Sequence, residues 1–149
     1  MTDEIRVARV HHGTRAEGPG LRTAVWFQGC SIRCPGCINP HLFESAGGTR
    51  VATTAIIASA LEAGVEGLTL LGGEPFDQAL DAAVLARRAQ AAGLGVITFT
   101  GYEHGDLAQR PDAKPLLDAT DLLVDGPFDA HDREQARALV GSGNQRFIH

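Results

Sequence analysis

The chain has 149 residues, 44% hydrophobic and 21% charged, with 13 Lys and Arg against 18 Asp and Glu for a net charge of −5. That length supports a buried core without disulfide staples, and one unit over residues 1–149 is expected. No run approaches the ~20 apolar residues of a membrane span. The cations, all Arg except Lys114, are scattered rather than striped, so neither a membrane nor a nucleic-acid partner is expected.

The opening Met1-Thr2-Asp3-Glu4 carries acid and no apolar run, which argues against a secretory signal. Ile5, Val7 and Val10 alternate with Arg6 and Arg9 and predict a short first strand. Residues 13–20 are turn-rich, with Gly18-Pro19-Gly20 as punctuation. Residues 21–28, with Thr23, Val25, Trp26 and Phe27, read as a buried strand, and Trp26 as core. A loop holding every cysteine comes next: Cys30-Ser31-Ile32-Arg33-Cys34-Pro35-Gly36-Cys37.

After Gly47-Gly48, Thr53 or Thr54 is placed to cap a helix with Ile56, Ile57, Ala60 and Leu61 on its apolar face, ended by Gly64. Leu68-Thr69-Leu70-Leu71 is the next strand and runs into Gly72-Gly73-Glu74-Pro75. Asp77 is expected to cap a helix with Leu80, Val84, Leu85 and Ala91 inward, closed by Gly93. A strand over 96–100 ends at Gly101-Tyr102, a weaker helix covers 103–109, and Pro111 and Pro115 interrupt the stretch up to residue 121. Leu122-Leu123-Val124 is a strand ending at Asp125-Gly126-Pro127, residues 132–139 read as helix and 145–148 as a last strand.

Strand and helix alternate, so the fold class is α/β with a mostly parallel sheet. A closed eight-fold barrel needs at least about 200 residues, which makes a partial, open (β/α) barrel the expectation. In such folds chemistry gathers where strands deliver loops at their carboxyl ends, and the cysteine loop sits at one of them.

Three thiolates spaced C-x3-C-x2-C cannot all pair as disulfides, because their number is odd. Soft ligands this close converge on a metal, either an iron–sulfur cluster or zinc, with His41 as a fourth ligand in the zinc case. A 4Fe-4S cube normally takes four Cys, so three would leave one iron open to an outside ligand. Clustered free thiols also point to a reducing, cytoplasmic compartment. The glycines of Gly72-Gly73-Glu74-Pro75 let a ligand approach the backbone, and Glu74 offers a charge-assisted acceptor. An ordinary strand-to-helix turn is the plain alternative. His11, His12 and His104 read as surface or loop histidines, Arg87-Arg88 as a solvated face, and Asp125 as a turn-former or a site-lining acid.

The cysteine trio, with Gly72-Gly73-Glu74-Pro75 one βα unit later, resembles the radical S-adenosylmethionine superfamily. Gly18-Pro19-Gly20-Leu21-Arg22-Thr23 and Asn39-Pro40 are similar to its glycyl-radical-enzyme activating enzymes. Cys34-Pro35-Gly36-Cys37, Thr100-Gly101-Tyr102, Leu123-Val124-Asp125-Gly126 and Gly141-Ser142-Gly143-Asn144-Gln145 look like the activators of anaerobic ribonucleotide reductase. The resemblance implies a 4Fe-4S cluster on Cys30, Cys34 and Cys37, with the amino and carboxylate groups of S-adenosyl-L-methionine on the fourth iron. It implies that Gly72, Gly73 and Glu74 receive the methionyl end, and that backbone near Gly36 and Ile38 contacts the adenine, since Gly36 stands where most of the superfamily has an aromatic. Gly143 replaces a serine usual in the closing motif. The implied activity is one-electron cleavage of S-adenosylmethionine, whose carbon radical takes hydrogen from a glycine of a partner. The implied partners are a glycyl-radical enzyme, here anaerobic ribonucleotide reductase, and a flavodoxin- or ferredoxin-type electron donor. A compact radical enzyme acting on a small metabolite or peptide, and a zinc-stabilised binding module, are the competing readings.

Overall fold

A computed structural model describes residues 3–32 and 47–127, then 129, 131, 132, 134, 137, 140 and 142–149. Its strands are β1 (Glu4–Thr14), β2 (Arg22–Phe27), β3 (Thr49–Ala52), β4 (Gly67–Gly72), β5 (Gly95–Phe99), β6 (Leu122–Asp125) and β7 (Arg146–Ile148). The helices are α1 (Thr53–Glu62), α2 (Ala79–Ala91), α3 (His104–Leu107) and α4 (Lys114–Asp118), with a 3-10 turn at Pro75–Gln78. The strands form one sheet in the order β3-β1-β2-β4-β5-β6-β7. Its centre, β2-β4-β5-β6, is parallel. Both flanks are antiparallel, through β1 with β2 and β3 on one side and β7 on the other. The sheet stays open, in agreement with a partial barrel.

The period-2 alternation of strands puts Val25, Phe27, Leu68, Leu70, Val96 and Leu123 on one face, in one cluster with Ile56 and Ala60 of α1 and Leu85 of α2. Helix α2 meets the sheet through Ala79, Ala82, Ala83, Ala86 and Ala89, all at most 4% exposed. Small side chains let its backbone lie close. That stripe also corrects the expected inward face: Leu80 is 39% exposed and Ala91 is exposed, because they lie beside the alanine stripe. Leu61 of α1 is likewise 49% exposed.

Other expectations change locally. Thr53 does not cap α1; Ala52 occupies the N-cap, and the Thr53 amide and hydroxyl turn to Asp3. Asp77 does not cap α2, which starts at Ala79; it lies in the 3-10 turn and turns its carboxylate elsewhere. Trp26 is half-buried rather than core, with the Arg9 guanidinium carbon 5.1 Å from its ring centre. β1 is 11 residues long, extended by its pairing with β2 through His12 and Thr14. β3 and α4 carry too little periodicity to be read beforehand, and Pro115 sits in the first turn of α4, where proline costs no hydrogen bond. The helix expected over 132–139 lies largely outside the described residues.

At the amino ends of the parallel strands, Arg22 is buried at 6% exposure. Its guanidinium donates to Thr69 Oγ1 (2.9 Å) and to the carbonyls of Pro19 (3.1 Å), Leu68 (2.9 Å) and Gly95 (3.0 Å). The five-donor fork of arginine pins β2, β4 and β5 together at this end. The loops that carry Cys30, Gly72-Gly73-Glu74-Pro75 and Thr100-Gly101-Tyr102 lie at the opposite end.

Candidate cofactor site at the carboxyl ends of the strands

β2 ends at Phe27, and Gln28-Gly29 lead to Cys30, which is half-buried. The parallel pairing with β4 continues past both strands: Gly73 N donates to Phe27 O (2.9 Å) and Glu74 N to Gly29 O (2.7 Å). These bonds bring the Gly72-Gly73-Glu74 backbone beside the approach to Cys30. Gly72 has φ +107°, and a Cβ there would lie 2.7 Å from Phe27 N. A Cβ on Gly73 would overlap the carbonyl oxygen of Gly29 and stand 2.7 Å from that of Phe27. Only glycine permits this approach.

Glu74 is 1% exposed. Its Oε2 accepts from Phe76 N (3.0 Å) and Thr100 Oγ1 (2.8 Å), and its Oε1 from Gly101 N (2.8 Å). Burial pushes its carboxyl up to about 7, opposed by these bonds, chiefly that from the Gly101 amide. The side chain is therefore a strap between the loops after β4 and β5, with its charge poised near neutrality. A cation placed close by would draw it to the carboxylate form.

A second set of bonds gathers on Asp77. Its Oδ2 accepts from Ser31 N (2.7 Å), and its Oδ1 from Ser31 Oγ (3.1 Å) and Tyr102 OH (2.8 Å). Ser31 Oγ and Tyr102 OH are also 2.9 Å apart. The Arg110 guanidinium lies 5.1 Å from the Tyr102 ring centre and donates to Phe76 O (2.9 Å). On the far side Asp125, fully buried, accepts from His104 N (2.8 Å) and from Arg146 Nε (3.1 Å) and Nη2 (2.6 Å). Asn144 Nδ2 donates to Pro127 O (2.8 Å) and Gln145 Nε2 to Gly126 O (3.1 Å), so the closing motif braces the loop after β6.

Of the residues singled out in the sequence, Cys30, Gly72, Gly73 and Glu74 meet at this rim. Cys34, Gly36, Cys37, Ile38 and His41 lie outside the described residues. His12 Nδ1 is 2.8 Å from Thr23 Oγ1, an internal contact away from the rim. Sequence reasoning missed the hydroxyl of Thr100 and the carboxylate of Asp77. The first was visible only as part of a motif, and the second was read as a helix cap. The donor set suits iron: three thiolates clustered in sequence, the first half-buried at a strand end.

A family model described as a 4Fe-4S single cluster domain matches residues 16–148. The anaerobic ribonucleoside-triphosphate reductase-activating protein of Vibrio cholerae is 31% identical over 137 residues, 86% of this chain and 87% of that protein. The chain belongs to the radical S-adenosylmethionine activating enzymes of glycyl-radical enzymes. Within that family, the reductase-activating protein of Salmonella typhimurium is 30% identical over 141 residues, 89% of this chain and 90% of its own length. The pyruvate formate-lyase-activating enzyme of Clostridium pasteurianum is 29% identical over 140 residues, and this chain spans 55% of it. Among solved structures, QueE from Escherichia coli superposes with TM-score 0.55 at 17% identity, covering 68% of this chain and 54% of that one, a likeness of fold. Members of the family use a 4Fe-4S cluster and S-adenosylmethionine. Among the described residues no helix is long and apolar enough to cross a membrane.

Proposed function

We propose that this chain activates an anaerobic ribonucleotide reductase by placing a radical on one glycine of that enzyme. The observation that carries the choice of partner is how much of each relative is matched. Reductase-activating relatives are matched over 87% and 90% of themselves, whereas the formate-lyase activator is matched over 55%. The match thus runs over nearly the whole of the first group and about half of the second.

Cys30, Cys34 and Cys37 would hold the cluster through three irons, leaving the fourth without a protein ligand. A cluster held there would supply the one electron for reductive cleavage of S-adenosylmethionine, and so the hydrogen-abstracting chemistry aimed at the partner glycine. The electron comes from a flavodoxin- or ferredoxin-type donor. The chain binds and orients. Gly72 and Gly73 would receive the methionyl end, and Glu74 would contribute negative charge one residue on. Backbone near Gly36 and Ile38 would contact the adenine, as the family resemblance implies. The open sheet admits a loop of another protein, as a glycine inside a large partner requires.

Anaerobic reconstitution with iron and sulfide, reduction, and addition of S-adenosylmethionine should yield brown protein and 5′-deoxyadenosine. Adding the reductase should produce its glycyl-radical resonance, and Cys34→Ala should abolish all three. Colourless protein holding one zinc per chain, or cleavage that responds only to a small metabolite and never marks a glycyl-radical enzyme, would overturn the reading.

A further inference from the structure

We propose that Asp77 and Tyr102 are positioning residues that set the peptide immediately after Cys30, and through it the first thiolate, against the Gly72-Gly73 backbone. The inference deepens the function proposed above and rests on it. Ser31 directly follows the first cysteine, and both its amide and its hydroxyl end on one carboxylate, that of Asp77. Tyr102 OH closes the triangle at 2.8 Å from Asp77 and 2.9 Å from Ser31. Each corner comes from a different strand end: Ser31 after β2, Asp77 after β4, Tyr102 after β5. Tyr102 is in turn held by its amide on Thr100 Oγ1 (3.1 Å), by its carbonyl accepting from Gly126 N (2.9 Å), and by Arg110 over its ring.

Two features separate this lattice from ordinary packing. Asp77 and Ser31 are exposed, so they contribute little to the buried core, yet the carboxylate accepts two bonds from Ser31 and a third from Tyr102. The bonds also supplement the backbone tie from Glu74 N to Gly29 O, on the opposite side of Cys30. Held at Gly29 before it and at Ser31 after it, Cys30 cannot shift along the chain without breaking one of them. A thiolate fixed on both sides gives the cluster a set distance from the glycine backbone that receives S-adenosylmethionine.

Asp77→Ala and Tyr102→Phe test this. In the metal-free chain, hydrogen exchange at the Ser31 amide and alkylation of Cys30 should each quicken about tenfold in Asp77→Ala, because local opening loses a charge-assisted bond. In the loaded protein, iron content should match wild type, while affinity for S-adenosylmethionine falls about tenfold. The change that this ligand causes in the reduced cluster's paramagnetic spectrum should broaden. Tyr102→Phe should move the same readouts less, and carries the test alone if Asp77→Ala does not fold. Unchanged exchange and unchanged spectra in folded variants of an active wild type would overturn the positioning role alone. A wild-type chain that takes up no cluster, or takes one up and never cleaves S-adenosylmethionine, overturns the proposed function and this inference with it.

Discussion

Thr100 Oγ1 donates to Glu74 Oε2 across 2.8 Å in the buried seam between the ends of β4 and β5. Two motifs that are 26 residues apart in the chain are thus one physical unit. The glycines of the first pack against the backbone of residues 26–29 that leads to Cys30, and its acid is held by the second. Whatever binds at Gly72-Gly73 feels the protonation of Glu74 and the placement of the β5 loop together.

Stability should carry the mark of that acid. Its carboxyl rises from the ordinary 4.5 to about 7, mainly through burial. Between those values the native state keeps a proton that the unfolded chain has released. The contribution is therefore full below about pH 4.5, shrinks as pH rises toward 7 and is level above it, a loss of about 3 kcal/mol. Urea unfolding of the metal-free chain from pH 5 to 8 should show this fall in wild type and a flatter profile in Glu74→Gln. Parallel profiles would refute it.

Gly73→Ala should cost about 1–3 kcal/mol, because the new Cβ meets the carbonyls of Gly29 and Phe27 and one strand must move. The same shift separates the glycine backbone from Cys30. Weaker binding of S-adenosylmethionine, measured by equilibrium dialysis on the loaded protein, should accompany the lower unfolding midpoint. Gly64→Ala, where nothing lies within 4 Å but φ is +72°, should lose stability without losing affinity.

Arg22 should be a stability residue with no direct part in the chemistry. Arg22→Met strands the carbonyls of Pro19, Leu68 and Gly95 and the Thr69 hydroxyl, at about 2–4 kcal/mol. Arg22→Lys should recover only part, since three donors on a flexible stem cannot serve four acceptors held by β4, β5 and the Pro19 loop. Thermal unfolding of both variants checks this, and a lysine variant as stable as wild type would contradict it.

Iron removal should leave the fold standing. The core cluster of α1, α2 and the central strands contains no described residue of the cysteine loop. Chelator-treated protein should keep its far-ultraviolet dichroism and a cooperative urea transition while losing all S-adenosylmethionine cleavage. Reloading with iron and sulfide should restore it. Loss of cooperativity on demetallation would contradict this.

Local order and metal chemistry were written in the chain. Cys30, Cys34 and Cys37 stand close enough together to mark a soft-metal site, and the alternation around Val25, Leu68, Val96 and Leu123 announces the parallel centre because burial repeats with the backbone period. Family resemblance could be seen for the same reason, since ligand-binding motifs must keep both residue type and spacing. Only the tertiary structure decided what Asp77, Thr100 and Arg22 do. Their partners lie on other strands, and a hydrogen bond across a sheet leaves no periodic trace in sequence. It likewise decided that Leu61 and Leu80 face outward, because which side of an amphipathic helix meets the sheet depends on how closely alanines let the two backbones approach.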